Sequence, residues 1–196
     1  MSADAFTGNL VRLSDEDPQK LAEALARWNR DSEYYRLLDT AAARLWSAKK
    51  MKEWFEKDIE SASPNFIAFS VRTLTEDKLI GLVAFEDINW ISGDTYVSIG
   101  IGERDFWGKG CGTDAMRVML RYGFTELNLH RISLTVFEYN PRAIRCYEKC
   151  GFKDEGCIRE FIPRDGKRWD MLHMGILRTE WDALEQEKSK MEKRKE

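Results

Sequence analysis

Residues 107–115 read Trp-Gly-Lys-Gly-Cys-Gly-Thr-Asp-Ala, with glycine at 108, 110 and 112. Three glycines on alternate positions remove every second Cβ and admit left-handed backbone, so the amides between them can turn inward as a nest for an anion. The preceding run, residues 95–101, is β-rich, and after Thr113 the apolar residues Met116, Met119, Leu120, Phe124 and Leu127 recur at helical spacing. A strand, a glycine loop and a helix start in that order make a phosphate the natural guest.

The loop alone leaves more than one reading open. Gly110-x-Gly112-x-x-Ala115 also satisfies a loose dinucleotide fingerprint, with Glu138 at the end of the next strand as a partner for a ribose. Against that, Glu103-Arg104-Asp105 separates the strand from the loop, and too little chain follows for a doubly wound sheet. A purely structural glycine turn is the plain alternative. A Walker A loop is excluded, since no Gly-Lys-Ser/Thr ends the run.

Around the loop, the sequence alternates between the two periodicities. Asp17-Pro18 caps a helix bearing Leu21, Leu25 and Trp28, and Ser47 caps another with Met51, Trp54, Phe55 and Ile59 on one face, ended by residues 61–64. Residues 66–73 and 79–87 form a hairpin across the polar residues 75–78. In 95–101, Val97, Ile99 and Ile101 face the core while Tyr96, Ser98 and Gly100 line a face with room for a ligand. A strand over 131–137, a helix over 141–149, a turn at Gly151 and strands near 156–163 and 169–177 follow. We expect one domain, 8–182, and a charged, frayed tail over 183–196.

Composition narrows the function classes. With 196 residues, 43% hydrophobic and 33% charged, the chain has the make-up of one globular domain with a sizeable core. A net charge of −3 provides no basic footprint, which argues against nucleic acid as partner. No stretch approaches about 20 apolar residues and the start lacks a signal-peptide pattern, so we expect a cytoplasmic protein and no membrane partner. Cys146 and Cys150 stand as a lone C-x-x-x-C beside two histidines in the whole chain, and we expect reduced thiols and no metal.

Residues 107–113 resemble the pyrophosphate loop of the GNAT superfamily of acetyltransferases, in the Trp-Gly-Lys-Gly form of its ribosomal-protein and spermidine acetylating branch. Gly110 and Gly112 occupy the two small positions of that loop; Trp107 replaces its usual Gln/Arg. Asn140-x-x-Ala143-x-x-x-Tyr147-x-Lys149-x-Gly151-Phe152 is similar to the second GNAT signature, in the right order and spacing. The pattern continues through residues 156–160, 165–167 and 170–177.

The resemblance implies an α/β (α+β) fold with a mixed, mostly antiparallel sheet flanked by helices, whose fourth and fifth strands, here 95–101 and 131–137, splay apart. Acetyl-CoA would lie in that V, with its thioester and pantetheine arm along Gly100, Ile101 and Gly102. Its pyrophosphate would rest on Trp107, Gly108, Lys109, Gly110, Cys111, Gly112 and Thr113, and a bulky residue at Gly110 would fill the space it needs. Asn140, Ala143, Tyr147 and Lys149 would complete the donor site, with the Tyr147 phenol as acid for the departing thiolate. The family's strand-four Glu is missing, because that stretch reads Tyr96-Val97-Ser98, so Glu86 or Asp87 is the candidate base. The implied reaction is acetyl transfer to a primary amine, either a polyamine-like molecule or a protein N-terminus; a silent acetyl-CoA-binding module is the alternative. A homo-oligomer is compatible with this reading.

Overall fold

The computed structural model describes residues 4–58 and 64–193. Ile59 and residues 61–63, expected to end a helix, lie outside the described residues. The order of elements is β1 (Val11–Ser14), α1 (Pro18–Trp28), α2 (Ser32–Leu38), α3 (Ala48–Asp58), β2 (Ile67–Thr73), β3 (Leu79–Asn89), β4 (Asp94–Ile101), α4 (Cys111–Thr125), β5 (Arg131–Phe137), α5 (Pro141–Cys150), β6 (Lys153–Arg164), β7 (Lys167–Leu177) and α6 (Arg178–Lys193).

The helix starts follow from their caps. Asp17 accepts from the amide of Lys20 at 3.0 Å with Pro18 in the first turn, Ser47 accepts from Lys50 at 3.2 Å, and Asn140 accepts from Ala143 at 3.2 Å. Leu21, Leu25, Trp28 and Met51 are buried, whereas Trp54 is 41% exposed and meets Trp46 edge-on. Asp165 and Gly166, both at positive φ, turn β6 into β7 in the manner of a tight two-residue hairpin.

One seven-stranded sheet runs β1-β2-β3-β4-β5-β7-β6, antiparallel throughout except where β4 meets β5. This is not the doubly wound parallel sheet that the dinucleotide reading requires. Alternation sends Val83, Phe85, Ile132 and Leu134 to one face, where Met116, Met119, Leu120 and Phe124 of α4 join them in the main core. Fully burying a side chain such as Phe85 or Phe124 stabilises the fold by about 1.5–3 kcal/mol. Trp28 and Tyr34 cover the opposite face at β4, leaving no space for a Cβ on Gly102 or Gly100 respectively.

Three elements lie outside the expected pattern. β1 pairs with β2 at one edge, and α2 joins α1 to the extended stretch before α3. α6 runs through the segment expected to be a frayed tail: Trp181 and Leu184 pack on the main core, and Lys188 pairs with Glu185 one turn away. No helix among the described residues is long and apolar enough to cross a membrane.

Candidate active site

β4 and β5 run parallel but pair over three residues only, Asp94 with Arg131, Thr95 with Ile132 and Tyr96 with Ser133. Beyond Tyr96 and Ser133 their ladder ends and a gap opens. Because Gly81 faces Ile101 in the ladder while the Gly102 amide donates to the Ile80 carbonyl at 2.8 Å, the polar groups of Ile101 and Ile99 turn away from β3, toward the gap. Gly100 and Gly102, expected on the free edge, turn theirs to β3 instead. Of the expected trio, only Ile101 faces the gap, and its carbonyl accepts from the Trp107 indole N–H at 2.6 Å.

The glycine loop sits at the mouth of this gap. Gly108 and Gly110 adopt φ of 73° and 89°, a left-handed conformation that suits glycine, and Gly110 is the N-cap of α4. At Gly110 the left-handed backbone strains any side chain, and a Cβ there would come within 3.4 Å of Leu10, before any space needed by a phosphate is counted. Asp114 is the first residue of α4 to donate to a carbonyl one turn back, and no side chain caps the helix, so the amides of Cys111, Gly112 and Thr113 have no helical partner. These amides, the positive end of α4 and the open space beside Gly108 fit a phosphate group.

Surrounding charges fix the loop. Asp114 is buried and accepts from the amides of Leu10 and Val11 at 2.7 and 3.1 Å, which joins β1 to the first turn of α4. Burial pushes the Glu103 carboxyl up, but hydrogen bonds from Trp28, Arg27 and Lys78 outweigh it and hold its pKa below the ordinary glutamate value. Glu103 thus anchors the chain between β4 and the loop to α1.

α2 spans the gap on one face, with Tyr34 against Gly100 and the Leu37 carbonyl near the Asn140 amide nitrogen at 3.5 Å. Asn140 therefore both starts α5 and touches α2. Tyr147, one helical face further on, is buried in the main core and lies edge-on to Phe152 at 5.9 Å. Its hydroxyl has no hydrogen-bond partner among the described residues, and burial raises its pKa well above the ordinary phenol range. Ala143 lies half-buried on the same helix, while Lys149 points to solvent.

At the apex of the V, on the face opposite α4, opens a cavity of about 690 Å3 whose walls include Tyr96, Arg131, Ser133, Glu155 and His173. Glu86 is opposite Tyr96 in the ladder and accepts a short hydrogen bond from the Ser98 hydroxyl. By alternation from buried Phe85, its carboxylate lies on the cavity side of the sheet. Asp87 is exposed on the adjoining bulge at φ 54°, so the structure groups Glu86, and not Asp87, with the apex.

Two arginines were not singled out from the sequence. Arg104 and Arg142 lie over the Trp107 ring at 4.7 and 3.9 Å from its centroid. The signal available was spacing: Arg142 precedes Cys146 by four residues, so both lie on one face of α5, and the Cys146 sulfur is 3.3 Å from the Thr113 hydroxyl.

The sequence matches the family described as Acetyltransferase (GNAT) domain over residues 9–153. It is 34% identical over 142 residues to spermidine N(1)-acetyltransferase of Vibrio cholerae, covering 67% of this chain and 82% of that protein. It is 29% identical over 136 residues to the prophage-derived N-acetyltransferase YokL of Bacillus subtilis, covering 69% and 74%. The fold superposes with a TM-score of 0.74 on the crystal structure of spermidine N-acetyltransferase from Vibrio cholerae in complex with CoA and spermine, at 28% identity over 87% of this chain and 96% of that one. The parted strands, the uncapped α4 behind its glycine loop and these matches lead to one conclusion: the chain belongs to the GNAT family of acetyltransferases and is an N-acetyltransferase.

Proposed function

We propose that the protein transfers the acetyl group of acetyl-CoA directly to the primary amine of a small polyamine-like molecule. The observation that carries this reading is the placement of two openings on one apex. The gap between β4 and β5 leads from the phosphate loop to Tyr96 and Ser133, and the 690 Å3 cavity reaches the same two residues from the other face. A donor and an acceptor entering from opposite faces meet there without crossing. The spermidine acetyltransferases among the relatives support an amine of this class.

In this reading the amides of residues 111–113, with Gly108 and Lys109 beside them, hold the pyrophosphate, and the edge of β4 at Ile99 and Ile101 holds the pantetheine arm. Acetyl-CoA supplies an activated acyl group with a thiolate as leaving group. Glu86 takes the proton of the incoming ammonium, directly or through one water, and Ser98 orients its carboxylate. Tyr147, kept protonated by burial, gives its proton to the departing sulfur. The carboxylates of Asp94 and Glu155 at the cavity wall suit a cationic acceptor, although Arg131 pairs with Glu155.

Amine-dependent release of CoA from acetyl-CoA, measured over a panel of polyamines, monoamines and short peptides with free N-termini, tests the assignment. Turnover with polyamines at least tenfold above the peptides in kcat/KM is the expected result. Preference for peptides would transfer the activity to the protein N-terminus reading, and binding of acetyl-CoA without any turnover would leave a silent module.

A further inference from the structure

We infer that Arg142 is the second anion-binding group of the donor site, engaging the pyrophosphate of CoA together with the amides of α4, and that Trp107 holds its guanidinium in position. This rests on the reading of acetyl-CoA as donor.

Arg142 occupies the second position of α5. Side chains four apart share a helix face and lean toward the N-terminus, so Arg142 projects beyond the point where Cys146 touches Thr113, the third residue of α4. Its guanidinium comes to rest over the indole of Trp107, the residue just before Gly108. The indole is itself fixed by its bond to Ile101. A planar cation thus stands at the mouth of the cleft, on the side of the three unpaired amides.

Arg142 also lacks a direct side-chain partner among the described residues. Arg104, over the same ring, is engaged by Asp31 and Glu33, which hold it firmly protonated. Arg142 has no ion pair and no hydrogen bond among the described residues; its half-buried setting disfavours the charged form, and the nearby Glu33 carboxylate offsets this only in part, with Arg104 acting against it. A stacked, partly desolvated guanidinium next to a like-charged neighbour is stabilised by an anion, and its fork of donors matches a phosphate oxygen pair. Helix amides on one phosphate and a guanidinium on the next span a diphosphate, whereas a structural role in stacking alone would not require the open side of the cation.

The test compares the wild type with Arg142→Gln and Arg142→Lys, after melting curves establish that each folds. Calorimetry with CoA and with 3′-dephospho-CoA should show the Gln variant weaker for both by the same factor, on the order of 10- to 100-fold, and the Lys variant in between. The ratio of kcat/KM for acetyl-CoA over S-acetyl-N-acetylcysteamine, which has no phosphate, should fall by a similar factor. Unchanged CoA affinity, an unchanged donor ratio, or a loss confined to CoA with dephospho-CoA spared would each overturn the assignment to the pyrophosphate. A wild-type protein that binds no CoA would instead overturn the donor reading on which it rests.

Discussion

The Trp107 indole N–H donates to the carbonyl of Ile101 at 2.6 Å, joining the first residue of the glycine loop to the free edge of β4. The two halves of the proposed donor site, the strand edge and the loop, are therefore positioned by one side chain. Trp107→Phe keeps a ring for Arg142 but removes the bond. We expect a loss of about 1 kcal/mol in stability, since the Ile101 carbonyl faces an open gap, and a severalfold weaker affinity for CoA. Urea unfolding and calorimetry measure the two effects; an unchanged CoA affinity would show that the bond serves folding alone.

Gly110 and Gly112 look equivalent in the loop but differ in backbone. Gly110 is at φ 89°, so Gly110→Ala should cost about 1–2 kcal/mol and weaken CoA binding by distorting the start of α4. At Gly112 a Cβ would meet Ile101 at an ordinary 3.6 Å, so Gly112→Ala should leave stability unchanged or raise it by up to about 1 kcal/mol. Thermal melts that rank the two variants the other way round would refute this account of the loop.

Tyr147→Phe removes a hydroxyl that is unpartnered among the described residues and leaves the ring against Phe152. Folding should be unaffected, while kcat falls on the order of 10- to 10⁴-fold and CoA affinity changes little. Because burial raises the phenol's pKa, the wild-type rate should show no loss through the ordinary tyrosine range near pH 10 from this group. A Phe variant within about twofold of wild type, with chemistry rate-limiting, would make Tyr147 a packing residue.

Glu103 connects acid stability to the site. Its folded pKa lies below the unfolded value, so its contribution is present above the ordinary glutamate range and is lost as pH falls through the lower, folded value. Glu103→Gln should be about 1 kcal/mol less stable than wild type at pH 7 and should show a shallower loss of stability on acidification. Parallel urea titrations at pH 7 and pH 4 provide the check; identical acid slopes would remove Glu103 from the account.

What the sequence by itself determined was local: the caps at Asp17 and Ser47, the helical and alternating periods of the long elements, and the glycine loop ahead of α4. The two signatures around residues 107–113 and 140–152 were legible for the same reason, since each is a short run whose spacing encodes one turn or one helix face. β1 is four residues long and α2 seven, too short for either period to emerge, and α6 is held by the packing of Trp181 and Leu184 on residues distant in the chain. Only the tertiary structure decided which amides of β4 face the gap, because that depends on the register with β3, a non-local pairing that a shift of one residue would reverse. It also separated Glu86, on the cavity side of the sheet, from Asp87, which the bulge turns outward, and it brought Arg142 over Trp107, 35 positions earlier in the sequence, by packing α5 against α4.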